Sequence, residues 1–462
     1  MQGWADKKVL VLGLGETGLS LVRWLVAQGA HVRAADSRAQ PPALAEVHAQ
    51  LPQESIHCGV FRDEIFSKVD LIAISPGVPL NEPVVMRAMA RGIPVMGDVE
   101  LFARALPQNN RPKIIAITGS NGKTTVTSMV GSMCRAAGLD TAIAGNISPA
   151  VLDALLQRGG QQPDIWVLEL SSFQLETTTT LNADAATVLN VSEDHLDRYA
   201  DMYIYSAAKA RIFNGDGVQV LNRDDARSLG MALPGRRQVS FGLNEPHAPD
   251  DMGVARVAGD IWLMQGSQRL LNAKELQVAG LHNVSNALAA LALCRTLGIP
   301  LAPLLDALRA FKGLPHRVQQ VAEIKGVIYF DDSKGTNVGA TIAALHGLGR
   351  KAVLIAGGQG KGQDFSPLNP VVAQYVRAVV LIGCDADKIE IALRGCGVPV
   401  QHAQDMADAV WQSAVLAQPG DAVLLSPACA SFDMFRNYAH RAEVFAATVS
   451  ALQGEVACAP QA

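Results

Sequence analysis

The chain of 462 residues is 49% hydrophobic and 18% charged, a balance that predicts an ordinary globular protein of two to four domains. A net charge of −4 gives no sign of a nucleic-acid-binding surface, so small anionic ligands must be held by local sites. The sequence contains neither an 18-residue apolar run nor a signal-peptide layout, and its seven cysteines include no CxxC pair. We therefore expect a cytoplasmic protein with reduced thiols, no membrane insertion and no nucleic-acid partner.

The first hundred residues alternate predicted strands and helices. A strand at Lys8–Leu12 leads into Gly13–Gly18, a complete G-x-G-x-x-G, and a second strand ends at Asp36, eighteen residues after the last glycine. This is the dinucleotide-binding pattern, in which the glycines admit a pyrophosphate and the acid binds a ribose hydroxyl. An NAD-dependent dehydrogenase is therefore one candidate function. A later strand, Val69–Ile74, ends in Ser75-Pro76-Gly77.

The most informative stretch is IIAITGSNGKTT, from Ile114 to Thr125. Its apolar start predicts a buried strand, Gly119-Ser120-Asn121-Gly122 a tight turn, and Lys123-Thr124-Thr125 the start of a helix that reaches about Ala137. Backbone N–H groups and the helix dipole make such a turn a phosphate site. Although the common pattern would have glycine at position 117, we predict that this loop binds ATP, either in an enzyme or in a P-loop regulatory switch.

Chemically reactive side chains follow the next two strands. Glu169 ends a strand at Ile165–Leu170, where a carboxylate suits Mg²⁺, and His195 lies in an acidic loop after a strand at Ala185–Val191. Residues 254–271 predict an antiparallel hairpin. Asn283 is interpreted as the N-cap of a helix that runs to about Leu297.

A third α/β series begins after the segment 312–317. Two loops in it combine acids, hydroxyls or a lysine after a strand, namely Asp331–Asn337 and Ser426–Asp433. Gly357–Lys361 also follows a strand and is interpreted as a loop at the edge of a ligand site. The predicted fold class is α/β, with three consecutive α/β domains at residues 1–109, 110–314 and 315–462.

Taken together and in this order, the motifs resemble the Mur ligases, ATP-dependent amino-acid-adding enzymes of peptidoglycan synthesis, and within them the members that add D-glutamate. The resemblance covers almost the whole chain. It rests on VLGLGETG (11–18), TGSNGKTT (118–125), AGNI (144–147), ELSSFQLE (169–176), SEDHLDRY (192–199), AAKARIF (207–213), HNVSNALAA (282–290), LPHR (314–317), DDSKGTN (331–337) and SPACASFD (426–433).

This resemblance implies a dinucleotide-type first domain that binds uridine diphosphate, a central P-loop ATPase-like domain and a Rossmann-like third domain. The implied uridine-substrate residues are Leu14, Gly15, Thr17, Asp36, Ser37, Arg38, Gly77 and Asn146. The implied ATP residues are Gly119, Ser120, Asn121, Gly122, Lys123, Thr124, Thr125, Asn283, Arg317 and Asp332. The implied D-glutamate residues are Lys334, Thr336, Ser431, Phe432 and Tyr438, with Tyr438 in place of the family's phenylalanine and Ser37 in place of its threonine.

The resemblance also implies the catalytic group, which comprises Lys123, Glu169, His195 and Lys209. Two Mg²⁺ ions would be held by Thr124, Glu169, His195 and a carbamylated Lys209. The expected substrates are ATP, D-glutamate and UDP-N-acetylmuramoyl-L-alanine, and the expected state is a monomer. Besides the dehydrogenase and the regulatory switch, a folylpolyglutamate synthase remains an alternative, because it is similar in its central loop.

Overall fold

The computed structural model describes residues 3–107, 109–278 and 280–458, with side chains as far as residue 454. Its first sheet is parallel, with strand order β3-β2-β1-β4-β5. The order reverses at β1, so the Gly13–Gly18 loop leaves the sheet where open parallel sheets bind ligands. The elements are β1 (Lys8–Leu12), α1 (Glu16–Ala27), β2 (His31–Asp36), α2 (Leu44–His48), β3 (Ile56–Cys58), β4 (Leu71–Ile74), α3 (Pro83–Ala90), β5 (Val95–Met96) and α4 (Asp98–Ala105).

The second sheet has the order β14-β13-β12-β11-β10-β9-β6-β8-β7 and places the strand before the phosphate loop among parallel neighbours. Its last three strands form an antiparallel meander, which confirms the hairpin predicted at 254–271. The strands are β6 (Lys113–Thr118), β7 (Thr141–Gly145), β8 (Ile165–Glu169), β9 (Ala185–Val188), β10 (Val218–Asn222), β11 (Gln238–Phe241), β12 (Met252–Val257), β13 (Asp260–Gln265) and β14 (Gln268–Asn272). The helices are α5 (Lys123–Ala136), α6 (Val151–Gln157), α7 (Ser172–Glu176), α8 (Met202–Ala210), α9 (Ala226–Leu229), α10 (Leu281–Thr296) and α11 (Leu301–Ala310).

The third sheet has the order β15-β16-β20-β17-β18-β19 and is parallel apart from β15. Because β16, β20 and β17 are neighbours, the three polar loops predicted after them leave the same edge of the sheet. The elements are β15 (Gln319–Ile324), β16 (Val327–Asp331), α12 (Val338–Gly347), β17 (Ala352–Gly357), α13 (Leu368–Tyr375), β18 (Val376–Ile382), α14 (Ala386–Ala392), β19 (Val400–His402), α15 (Met406–Leu416), β20 (Ala422–Leu425) and α16 (Tyr438–Cys458).

The hydrophobic core is continuous between the first two sheets. Val9 and Phe102 belong to the same buried cluster as Trp166 and Leu168, and the rings of Phe102 and Trp166 meet edge to face at 5.0 Å. The buried clusters around the third sheet consist of residues from that part of the chain. The first two units are therefore packed together through apolar side chains, whereas the third has a core of its own.

The predicted fold class of three consecutive α/β units is confirmed. The predicted division at 109/110 and 314/315 falls in segments that connect the sheets, between α4 and β6 and between α11 and β15. The predicted N-cap at Asn283 was wrong: α10 begins at Leu281 with Gly280 as its N-cap, so Asn283 lies inside the first turn. Among the described residues, no helix has both the length and the apolar character needed to cross a membrane.

Candidate active site

The phosphate loop between β6 and α5 is braced by the segment that follows β9. The backbone N–H of Ser120 donates to the Asn190 carbonyl oxygen at 2.9 Å, and that of Asn121 donates to Oδ1 of Asn190 at 2.8 Å. Ser120 Oγ also exchanges hydrogen bonds with the Ser192 backbone at 3.0 and 3.1 Å. The chain makes these contacts because β9 ends at Val188, earlier than the Val191 predicted from the sequence.

Gly122 allows α10 to approach the phosphate loop. It begins α5 in the left-handed conformation, with φ of 83°, and a Cβ atom there would lie 2.7 Å from Oδ1 of Asn286. Asn286 in turn donates to Oδ1 of Asn283 at 3.3 Å. A side chain at position 122 would therefore displace the two asparagines from the loop.

Two lysines converge on the carbonyl oxygen of Gly119. Lys123 donates to it at 2.9 Å from the phosphate loop, and Lys209 donates at 2.9 Å from α8. Burial, followed by the charge of Lys123, holds the pKa of Lys209 well below its ordinary value. Burial also lowers the pKa of Lys123, although Glu169 and Asp194 oppose the shift. Both shifts indicate amines with too little anionic charge around them, which a polyphosphate would supply.

Glu169 offers a place for a cation at the end of β8. Its Oε1 accepts a hydrogen bond from Nδ2 of Asn146 at 2.8 Å. Its Oε2 is buried and has no hydrogen-bond donor among the described residues. Such an oxygen is costly to bury unless a cation or donor binds it, and carboxylate oxygens are preferred Mg²⁺ ligands. Glu169 therefore fits the metal site that the resemblance implies.

His195 is held in a strained conformation beside this group. Its φ is 57°, its backbone N–H donates to Oδ1 of Asp194 at 3.0 Å, and its ring meets Phe173 edge to face at 4.7 Å. Burial lowers the pKa of His195 to about 4, although Asp194 opposes the shift. The imidazole is therefore neutral at pH 7, the form that binds metal ions.

A cavity of about 300 Å³ opens between the phosphate loop and the third sheet. Its walls bring together predicted ATP residues from three distant segments, together with His282, which the sequence reasoning missed. The predicted residues that line it are Asn121, Gly122, Thr125, Asn283, Arg317 and Asp332. Burial lowers the pKa of His282 to about 4, with a further contribution from Arg317, so this ring also lies neutral in the cavity wall.

The third unit reaches the phosphate loop through Arg317, and Asp332 lies with it in the cavity wall. Arg317 Nη2 donates to the Thr124 hydroxyl at 3.1 Å, and Nε of the same guanidinium is buried with no acceptor among the described residues. Burial raises the pKa of Asp332 to about 7, although Ser426 and Arg317 oppose the shift. Ser426 Oγ donates to Asp332 at 2.7 Å and fixes its position.

Two further contacts cross the same gap, and the sequence reasoning missed both. The side-chain amides of Asn121 and Asn337 exchange hydrogen bonds at 3.1 and 3.0 Å. Lys361 donates to Oδ1 of Asp194 at 3.1 Å. In the sequence Asn337 is indistinguishable from an ordinary N-cap of α12, which it also is.

The predicted D-glutamate residues lie on the loops after β16 and β20 and at the start of α16. Lys334 Nζ contacts the hydroxyl oxygen of Tyr438 at 3.3 Å and lies 4.6 Å from its ring centroid. Ser431 is buried and Thr336 is half-buried, whereas Phe432 is 70% exposed. The structure thus brings Lys334 and Tyr438 together and leaves the Phe432 ring in solvent.

These two loops are joined by Arg441, another residue without a sequence signal. It is buried and donates to the carbonyl oxygens of Ser333 at 2.7 Å and Cys429 at 3.1 Å. A helical arginine in the C-terminal segment gives no hint of this role, because its contact with Ser333 spans 108 residues of sequence.

In the first sheet, Asp36 organises the predicted uridine-substrate loop. Its two carboxylate oxygens accept hydrogen bonds from the backbone N–H of Leu14 at 2.7 Å and from the Arg38 guanidinium at 2.9 and 2.7 Å. Asp36 is buried, whereas Ser37, Arg38 and Gly77 are exposed. Asp36 therefore positions Leu14 and Arg38, and the exposed residues are the ones available to a ligand.

The Gly13–Gly18 loop also contacts the second unit near Glu169. The Ser148 hydroxyl donates to the Glu16 carboxylate at 2.6 Å. Ser148 lies two residues after Asn146, whose amide holds Glu169. The predicted uridine-substrate loop is therefore linked by short contacts to the predicted metal site.

Comparison with known proteins matches each part of the chain to the same family. Residues 7–97 match the MurD-like N-terminal domain of Mur ligases, residues 117–294 the Mur ligase middle domain, and residues 316–429 the glutamate ligase domain of Mur ligases. The chain is 60% identical over 453 residues to the UDP-N-acetylmuramoylalanine–D-glutamate ligase of Nitrosospira multiformis, covering 97% of this chain and 96% of that one. It is 54% identical over 452 residues to the ligase of the same name from Chromobacterium violaceum, covering 97% and 99%.

Solved structures share the fold over most of the chain at lower identity. The UDP-N-acetylmuramate–alanine ligase of Thermotoga maritima superposes with a TM-score of 0.60 at 20% identity, over 97% of this chain and 99% of that one. A bifunctional folylpolyglutamate synthase/dihydrofolate synthase from Yersinia pestis gives a TM-score of 0.56 at 19% identity, over 81% and 98%. These likenesses concern the fold alone. With matches to all three Mur ligase domains and close relatives along its full length, this chain belongs to the Mur ligases, the ATP-dependent ligases of peptidoglycan precursor synthesis.

Proposed function

We propose that this chain joins D-glutamate to the alanyl carboxylate of UDP-N-acetylmuramoyl-L-alanine, with conversion of ATP to ADP and phosphate. The names of its relatives at 54–60% identity support this choice of substrates. The observation that carries the proposal is the convergence of Lys123 and Lys209 on the Gly119 carbonyl oxygen. The charge of Glu169, whose Oε2 has no partner among the described residues, acts on Lys123 at the same place. Anionic substrates entering from both sides would meet there.

The reaction has two bond-forming steps. A carboxylate oxygen of the uridine substrate attacks the γ-phosphorus of ATP, the bond to the bridging oxygen breaks, and ADP leaves with that oxygen. The amine of D-glutamate then attacks the acyl carbon, phosphate leaves with the former carboxylate oxygen, and the amine loses a proton. Phosphoryl transfer depends mainly on positioning and on neutralisation of charge, which Lys123 and Arg317 are placed to provide.

Two magnesium ions would be held by the Thr124 hydroxyl, Glu169, His195 and Lys209 in its carbamylated form. When bound, they would neutralise charge on the transferring phosphoryl group and orient its oxygens. The donor chemistry is suitable, because the Glu169 oxygen lacks a partner among the described residues and His195 is neutral.

Lys209 has the properties that carbamylation requires. Its lowered pKa leaves part of the amine neutral, and a neutral amine attacks CO₂ to form an N–C bond with release of one proton. The product carries a carboxylate-like group in place of an ammonium ion, which removes one of two neighbouring positive charges. It also provides oxygen atoms of the kind that Mg²⁺ prefers.

The remaining contacts divide among the three units. Asp332 and Asn283 would bind the ribose and adenine of ATP in the cavity, and Arg38 would bind the uridine nucleotide. Lys334, Thr336, Ser431, Phe432 and Tyr438 would bind D-glutamate. We place the reaction in the cytoplasm, because it consumes ATP, and expect a monomer to carry it out, because each proposed site is built from one chain.

The direct test supplies ATP, Mg²⁺ and UDP-N-acetylmuramoyl-L-alanine with D-glutamate, L-glutamate, L-lysine or meso-diaminopimelate, and identifies products by mass spectrometry. We expect extension by D-glutamate, with one ADP per product. Lys123→Ala should reduce turnover by about 100-fold or more, since it removes a charge that stabilises the transition state. Lys113→Ala, at an exposed lysine on β6, is the matched control. Extension only by one of the other amino acids would contradict the proposal. Glutamylation of a folate supplied in place of the uridine substrate would also contradict it.

A further inference from the structure

Arg198 connects the loop of His195 with the first sheet. Its Nη1 donates to the carbonyl oxygen of Pro76 at 2.7 Å, and its Nη2 donates to Glu176 at 3.1 Å. Only 16% of the Arg198 side chain is exposed. Both ends of the guanidinium fork are therefore used, and one of them reaches across the boundary between the first and second units.

The carbonyl that Arg198 contacts belongs to a fixed turn beside the Gly13–Gly18 loop. Ser75, the residue before Pro76, donates from its backbone N–H to the Leu12 carbonyl at 2.8 Å, and its carbonyl accepts from Val78 at 3.0 Å. Its Cβ would lie 3.0 Å from a Cβ atom placed on Gly13. A shift of this turn on substrate binding would therefore move the Pro76 carbonyl oxygen to which Arg198 donates.

The other side of the guanidinium faces the residues that hold His195. Its Cζ atom lies 4.1 Å from the ring centroid of Phe173, and that ring meets His195 edge to face at 4.7 Å. The backbone N–H of Arg198 also donates to the His195 carbonyl at 3.0 Å. His195 has a left-handed backbone conformation, so its position depends on contacts of this kind.

We propose that Arg198 is a positioning residue that couples the turn Ser75-Pro76-Gly77 in the predicted uridine-substrate site to the orientation of His195. The inference rests on the proposed function, because it treats that turn as a substrate contact. Through one planar group, the Pro76 carbonyl fixes the guanidinium, the guanidinium fixes the Phe173 ring, and that ring fixes the imidazole. Lysine has a single ammonium group and no planar face, so it cannot hold the Pro76 carbonyl and Glu176 with two separate nitrogen atoms while it lies over the Phe173 ring.

The two units do not depend on Arg198 for their attachment. Glu100 accepts hydrogen bonds from the backbone N–H groups of Thr179 and Thr180 at 2.7 and 2.9 Å across the same boundary. Arg23 forms an ion pair with Asp153 at 3.4 Å, also between the two units. Arg23 is therefore a matched control, since it crosses the boundary without contacting Phe173 or His195 in the described structure.

The test compares Arg198→Met, Arg198→Lys, Phe173→Leu and Arg23→Met in the full chain. The measurements are Tm, kcat, KM for each substrate, and Kd for UDP-N-acetylmuramoyl-L-alanine without ATP. For both Arg198 variants we expect kcat to fall about tenfold or more and KM for the uridine substrate to rise, with KM for ATP unchanged. Phe173→Leu should lower kcat and leave the Kd of the uridine substrate unchanged, because only the link to His195 is removed. Arg23→Met should retain kcat.

The pattern across variants distinguishes coupling from stability. A wild-type kcat in Arg198→Met, or full rescue by lysine, would overturn the proposal. A loss of kcat that only follows the loss of Tm, seen equally in Arg23→Met at the same Tm, would also overturn it. A normal kcat in Phe173→Leu would do the same. If wild-type protein forms no D-glutamyl product in the same assay, the proposed function has failed and not the coupling.

Discussion

At the scale of single residues, the two lysines on the Gly119 carbonyl must act differently although they touch the same atom. Lys123 is half-buried and follows Asn121 and Gly122 of the cavity wall, so the phosphates of ATP can approach it and favour its charged form. Lys209 is buried in α8 beside Lys123 and the ring of Tyr205, which its Nζ approaches to 4.6 Å from the centroid. For Lys209, loss of the positive charge is more favourable in free energy than a second buried ammonium ion beside Lys123.

Substitution of Lys209 tests this difference. We expect Lys209→Ala and Lys209→Arg both to be nearly inactive, because arginine keeps a positive charge but cannot form a carbamate. Short carboxylic acids should partly restore Lys209→Ala by supplying the missing oxygen atoms. Initial rates with and without added acetate, at matched ionic strength, measure the rescue. Normal activity of Lys209→Arg would mean that only positive charge is required, and the carbamate would then be excluded.

Asp332 should leave a pH signature on stability. Its folded-state pKa is raised to about 7 from 3.8, so the folded protein binds this proton more tightly than the unfolded chain. The ionised carboxylate therefore destabilises the fold increasingly as pH rises from about 4 to 7, and the penalty is complete above that range. Asp332→Asn mimics the protonated form. We expect the Tm of the variant, relative to wild type, to be higher at pH 8 than at pH 5; a constant difference would show that Asp332 does not titrate in this range.

At the scale of elements, the predicted uridine-substrate loop depends on close packing of α1 against the Gly13 carbonyl at the beginning of the loop. A Cβ atom on Gly18 would lie 1.8 Å from the Gly13 carbonyl oxygen, whereas one on Gly15 meets no atom within 4 Å. Gly18→Ala should therefore destabilise the protein by roughly 3 kcal/mol, because the added methyl group would push α1 away from the end of β1. Gly15→Ala, in the same loop, should keep the wild-type Tm. Thermal unfolding of the two variants decides, and equal Tm values would refute the packing argument.

Element by element, the sequence predicted the ligand loops better than the contacts that support them. Glycine patterns and polar residues directly after apolar strands identified Gly13–Gly18, the phosphate loop and Asp331–Asn337, because strand and turn chemistry is local. Asn283 was predicted to be the N-cap of α10, a position that Gly280 occupies, because sequence patterns locate the start of a helix only to within about one turn. Short strands such as β3 and β5 carried too few residues to show a period.

The support of the site depends instead on pairs that are distant in sequence. Asn337 meets Asn121, Lys361 meets Asp194, and Arg441 meets the carbonyl oxygen of Ser333. Each is an ordinary polar residue in its own segment, and its partner is determined only once the sheets are packed. The lowered pKa of Lys209 was likewise invisible in a helix segment that resembles a solvated surface.

At the scale of the whole molecule, the first two units share a core while the third is joined to the phosphate loop by polar contacts around a cavity. Polar contacts can be replaced by hydrogen bonds to water at a low net cost in free energy, whereas separation of an apolar core exposes hydrophobic surface and costs more. We therefore expect the third unit to be the one that moves when ATP enters and leaves.

This arrangement separates the two proposed nucleotide sites. Arg38→Ala should raise KM for the uridine substrate by roughly tenfold or more, since a charged hydrogen bond is lost, and leave KM for ATP nearly unchanged. Arg33→Ala, on strand β2 shortly before Arg38, is the control. Steady-state kinetics with each substrate varied in turn make the comparison. A change in KM for ATP alone would place ATP in the first unit and contradict the assignment.

The most direct test of the account follows the oxygen atoms of the activated carboxylate. UDP-N-acetylmuramoyl-L-alanine labelled with ¹⁸O in both carboxylate oxygens is incubated with ATP, Mg²⁺ and D-glutamate, and the products are analysed by mass spectrometry. Activation by phosphoryl transfer from ATP predicts one ¹⁸O in each released phosphate, one in the new amide carbonyl, and none in ADP. Unlabelled phosphate, or ¹⁸O in AMP, would contradict an acyl phosphate and with it the roles given to the residues around Gly119.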